Sequence, residues 1–221
     1  MSAEDRIERS RLCYEQFVFG GDVTALATAE RELDAVEADL ALARGRVMHG
    51  RFLAQSCEDP QELSLFERAA QLHQMLGDVR GLAESLFWVG IFHQVVRHDN
   101  DAAVPAFERS HELAAQLGDL RILSYVLRHL GIAEHAAGRL NKARELLEES
   151  TRLRHQLGLL PGVAANLVGL AYIAAAQGRR DAAVALLDEA GAIAEANSAH
   201  GITRQVEQAR ASLQKQSIPG L

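Results

Sequence analysis

Cysteine is scarce in this chain, and the two that occur, Cys13 and Cys57, stand too far apart to form the C-x-x-C pair of a metal or redox site. Two are also too few for a disulfide framework, which points to a reducing, cytoplasmic setting. Only four prolines interrupt the chain, at 60, 105, 161 and 219, so long stretches are free to run as helix. Lysine is confined to Lys142 and Lys215, and no Lys/Arg-rich run exists. With a formal charge of −7, the electrostatic footprint that a phosphate backbone selects is missing, and direct nucleic-acid binding is disfavoured. No apolar run approaches the ~18 residues of a membrane span. The N-terminal "MSAEDRIERSRLCYEQF" also lacks the apolar core of an export signal, so no membrane role is expected.

What the chain does have is alanine and leucine. They dominate a hydrophobic content of 48%, while aromatics reach only 5%, a balance that suits packed helices. A period of about forty residues organises them. "QMLGD" ends at Asp78, "AQLGD" at Asp119 and "HQLGL" at Leu159, and Gly138 and Gly178 recur at the same interval. Two helical stripes fit each unit. Leu127, Leu130, Gly131 and Glu134 fall at i, i+3, i+4 and i+7, and Leu167, Leu170, Ala171 and Ala174 repeat the pattern, as do Leu86, Val89, Gly90 and His93. In the second helix Ala103, Phe107 and Ser110 correspond to Ala143, Leu147 and Ser150, then to Ala183, Leu187 and Ala190. Gly90, Gly131 and Ala171 are small enough to let two helices approach closely.

Helix ends are marked as well. Gly77, Gly118 and Gly158 are placed to take the left-handed conformation that stops a helix, and Asp78 and Asp119 to cap the next one. "EDPQE" reads as Asp59 at a cap, Pro60 in the first turn and Glu62 closing a capping box. Upstream, "LARGRVMHGRFLAQ" and "ELSLFERAAQLHQM" extend the period, with Gly50 and Phe66 at the matching positions. Downstream, Ile202, Val206, Ala209 and Leu213 form the apolar side of a last helix whose other side is polar.

A helix pair with Leu/Val-Gly/Ala in its first helix, a turn glycine, and an alanine five residues on resembles the tetratricopeptide (TPR) repeat, in a longer form of bacterial regulator type. The resemblance implies an all-α, right-handed TPR-like solenoid of about five helix pairs plus a C-terminal capping helix. The expected divisions are a degenerate helix pair over 1–38, repeats over 39–197, a capping helix over 198–216 and a flexible tail over 217–221.

In such stacks the first helices line a concave groove. Carried over by position, that groove would hold Val47, Arg51 and Gln55 from one helix, and Phe87, Ile91, Gln94 and Val95 from the next. Arg128, Ile132 and His135 would follow, then Val168 and Tyr172, with Tyr125 at the edge. Apolar groups beside two arginines suit an amphipathic helix or an acidic, apolar peptide.

Catalytic patterns are weak. "HELAA" at His111 has Ala115 where a zinc protease needs its second histidine, and "FGGD" lacks the third glycine of a dinucleotide loop. "SLQK" at Ser212 has the spacing of a penicillin-recognising hydrolase but falls on the polar side of the last helix. His93 and Glu134, at equivalent positions of successive first helices, suggest a hydrogen bond or, alternatively, a metal-dependent hydrolase. The expectation is therefore a non-enzymatic scaffold with no cofactor, binding a protein or peptide segment. A ligand- or signal-peptide-sensing regulator is the other reading, and a homodimer through the terminal helices stays open.

Overall fold

The computed structural model describes residues 1–215, so the expected tail over 217–221 lies outside the described residues. The architecture is all-α. Among the described residues ten α-helices follow one another: α1 Ala3–Gly20, α2 Ala25–Gln55, α3 Gln61–Leu76, α4 Val79–Ile91, α5 Asn100–Leu117, α6 Leu120–Ala136, α7 Leu140–Gln156, α8 Leu160–Ala176, α9 Arg180–Ala196 and α10 His200–Lys215. Successive helices pack as antiparallel pairs in the manner of a helical solenoid. None of them is long and apolar enough to cross a membrane. The chain divides into two compact units, Met1–Leu113 and Ala114–Leu221, with the boundary inside α5.

The C-terminal unit is the regular one. Helices α6 to α9 are each 17 residues long, and the glycines before them or between them take positive φ: Gly118 at 65°, Gly138 at 75°, Gly158 at 68° and Gly178 at 74°. Asp119 caps α6 by accepting a hydrogen bond from the Ile122 N–H. The forty-residue equivalents form the interior: Ala143, Leu147 and Ser150 in α7 and Ala183, Leu187 and Ala190 in α9 are all buried. Gly131 sits where a Cβ would overlap Leu147 Cδ1, so the close approach of α6 to α7 depends on that missing side chain. Helix α10 closes the core with Val206, Ala209 and Leu213.

The N-terminal unit follows the same plan with two departures. Its equivalents Ala103, Phe107 and Ser110 are buried, Gly90 stands where a Cβ would lie 2.5 Å from Phe107 Cε1, and Asp78 accepts from the Gly81 N–H. The first departure is the spacing between Gly90 and Phe107, one residue longer than that between Gly131 and Leu147. The joining segments are equally long, so the extra residue lies within the helix. It is absorbed as a π-helical turn over Phe92–Val96, and the surface turn before α5 is no longer than its counterpart before α7.

The second departure is α2, a single helix of 31 residues that runs unbroken through 38 and 39, where the sequence suggested the end of a degenerate pair. Its close-approach glycine is Gly45, whose Cβ would overlap the Phe66 ring; Gly50, the expected match, has open space around it. Nor does Glu62 close a capping box. It is buried and lies 2.9 Å from His49 Nδ1, while the Asp59 carboxylate accepts from the Gln61 N–H. Burial pushes the Glu62 carboxyl above its ordinary value, against the opposing pull of the His49 hydrogen bond.

Candidate functional site

A cleft of about 320 Å³ opens in the C-terminal unit between α6, α8 and α10. Its floor is made by Gly131, Gly169 and Leu147, and its apolar wall by Ile132, Val168, Tyr172 and Ile173. Gly169 keeps the floor low, because a Cβ there would lie 2.5 Å from Leu147 Cδ2 and 3.9 Å from Arg128 Nη1. Gln205 and Gln208, on the side of α10 that the sequence marks as polar and outward, form the opposite rim.

Arg128 supplies the charge. Its Nη1 donates to the Ala165 carbonyl at 2.8 Å and to Asn166 Oδ1 at 3.0 Å, and among the described residues no carboxylate pairs with it. Beside it Arg154 Nη1 donates to the Gly162 carbonyl at 2.7 Å and to the same Asn166 oxygen at 3.1 Å, with its guanidinium 4.9 Å from the centre of the Tyr125 ring. Asn166 in turn donates through Nδ2 to Ser150 Oγ at 2.8 Å. The two cations thus share one neutral amide oxygen, and each has a backbone carbonyl of its own. Burial pushes Arg128 down to about 10, and Arg154 falls to about 10 through burial first and the charge of Arg128 second. Both remain protonated at neutral pH. An uncompensated positive field beside an apolar wall is suited to an anionic group.

Five of the expected groove residues, Arg128, Ile132, His135, Val168 and Tyr172, line this cleft. Tyr125 is instead stacked under Arg154. In the N-terminal unit the expected set is placed differently. Phe87 is 7% exposed and Ile91 4%, Phe87 packing against Trp88 and Phe107, so neither faces an open groove. Gln94 is buried and donates to Asn100 Oδ1 at 2.9 Å, and Val95 is half-buried. Val47, Arg51 and Gln55 are exposed on α2, in a register shifted from the one that Gly45 and Phe66 define. The chain's single tryptophan is likewise packed against the core: Trp88 stacks on Phe66, meets His49 edge-on and carries the Arg46 guanidinium 5.5 Å over its ring.

His93 and Glu134 fall in different units and have other neighbours. The Glu134 carboxylate is taken by Arg139, and the half-buried His93 ring meets Phe92 edge-on. Among the described residues no three His, Cys, Asp or Glu side chains come together as a metal ion would need. Sequence reasoning missed Arg154 and Asn166. A signal for the first exists: Arg154 occupies the forty-residue slot that Ala114 and Ala194 fill, and a charge at an otherwise alanine position of a buried face demands a partner.

No curated protein matches the chain. Residues 81–156, which span α4 to α7, match the family model of the tetratricopeptide repeat. That region is TPR-like, and the all-α stacked architecture is one shared by protein- and peptide-binding scaffolds.

Proposed function

We propose that the protein is a non-enzymatic scaffold that binds a segment of another protein in the cleft of its C-terminal unit. The observation that supports it best is Arg128: a half-buried guanidinium, hydrogen-bonded to neutral oxygens alone, beside the apolar wall of the cleft. Such a site favours a segment carrying one acidic group next to a branched or aromatic side chain. The acid would meet the guanidinium in a low-dielectric setting, and the apolar group would cover Ile132, Val168 and Tyr172. Rigid helices hold these groups at fixed spacing, so binding orders the ligand and hardly moves the receptor.

Tyr172 and Ile132 provide the test. Tyr172 is 38% exposed, so Tyr172→Ala removes cleft surface with little effect on the fold. Displayed random peptides selected on the wild-type chain are expected to be enriched in acidic-plus-apolar sequences. Tyr172→Ala and Ile132→Glu should lose that enrichment while melting close to wild type. Selection that yields no such motif, or a motif that both variants retain, contradicts the reading.

A further inference from the structure

Helix α2 carries a second surface, unrelated to the cleft. Leu26, Leu33, Leu40 and Val47 recur every seventh residue on its outward side and are 36%, 47%, 47% and 57% exposed, with Ala54 continuing the line. Over four heptads and ~42 Å of helix, these residues form a continuous apolar line that no other helix of the unit covers. The flank is ordered too. Glu30, Glu37, Arg44 and Arg51 also recur every seventh residue, four positions after each seam residue, with the acids in the first half and the bases in the second. All four are exposed. Glu37 is held by Arg68 of α3, whereas Glu30, Arg44 and Arg51 form no ion pair among the described residues.

This order is self-complementary under one operation only. A two-fold axis at Leu40 that lays α2 antiparallel on its copy puts Leu40 against Leu40, Leu33 against Val47 and Leu26 against Ala54. The same operation sets Glu30 beside Arg51 and Glu37 beside Arg44, on the flank where antiparallel helices exchange their side chains. In a parallel, in-register pair this flank would lie across from the opposite flank of the copy, and the four charges would not meet one another. We infer that the outward face of α2 is a homodimer interface in which two copies of the chain pair antiparallel about Leu40. Exposed leucines at heptad spacing and segregated charges at the adjoining position are two independent observations with this one arrangement in common.

Sedimentation of the full chain across a concentration series tests it. The wild type is expected to dimerise, and Leu40→Glu, which sets two carboxylates against each other at the axis, to weaken association at least ~100-fold with helix content unchanged. Charge variants guard against misfolding of that one: R44E/R51E and E30K/E37K should each be monomeric alone and dimerise when mixed. Orientation is read by disulfide trapping in a C57S background, where L33C and V47C should cross-link with each other and neither with itself. A wild-type chain monomeric at about 200 μM, a dimer indifferent to Leu40→Glu and to both charge variants, or self-cross-linking of L33C would overturn the assignment.

Discussion

The two units solve one problem with different materials. In the C-terminal unit four helices of equal length bring Leu and Ala to the same positions every forty residues, and the interior is aliphatic. The N-terminal unit fills its interior with Phe66, Phe92 and Phe107, stretches one helix to 31 residues and inserts a π-helical turn. It buries acids and imidazoles such as Glu62, His49 and His73, where the C-terminal unit buries Arg154. The difference shows at the close-approach glycines. Gly90 admits the Phe107 ring and Gly131 the smaller Leu147, and beside Leu147 a cleft stays open between α6, α8 and α10.

The contrast is most sharply broken in the two cores. Phe66→Ala removes a fully buried ring that closes on Gly45 and Trp88 and should cost ~3 to 5 kcal/mol, while Leu147→Ala, wedged against Gly131 and Gly169, should cost ~2 to 5 kcal/mol. Chemical denaturation reads both. Loss of under ~1 kcal/mol at either site would remove it from the core.

The register of α2 gives the next largest effect. Gly45→Ala forces a methyl group into the Phe66 ring and should destabilise by ~1 to 3 kcal/mol. Gly50→Ala, with open space around it, should stabilise by up to ~1 kcal/mol through helix propensity. Opposite signs in thermal melts would fix Gly45 as the counterpart of Gly90 and Gly131; the same sign would return that role to Gly50.

The smallest effect is electrostatic. The Glu62 carboxyl is raised above its ordinary value in the folded chain, so the unfolded chain releases that proton at lower pH. Its contribution is therefore complete below the ordinary carboxylate range and is lost as pH rises through the raised value. Glu62→Gln keeps a hydrogen-bonding group toward His49 and should flatten this part of the stability profile; an unchanged profile would show that Glu62 does not titrate there.

Much of this was legible in the sequence, for reasons that the same comparison makes plain. Period and helix length are locally encoded, so the turn glycines, the caps at Asp78 and Asp119 and the buried triads of α5, α7 and α9 all fell where the spacing placed them. Register failed where length changed. With α2 lengthened, counting back from Phe66 at the usual interval reaches Gly50, five residues beyond Gly45. Burial by size was the other hidden quantity: Phe87 and Tyr172 occupy equivalent faces of first helices, yet one ring turns into its own unit and the other lines a cleft. Asn166 was invisible because its partners, two arginines and the Ser150 hydroxyl, come from other helices, and Arg154 showed only as a charge in a slot that alanine fills at 114 and 194.

Chemical-shift mapping of an isotopically labelled chain with a short acidic, apolar peptide tests the central claim most directly. The expected shifts gather on Arg128, Ile132, Val168 and Tyr172 in the C-terminal unit and leave Phe87 and Ile91 unmoved. Shifts that centre on α2 or α4, or none at saturating peptide, would contradict it.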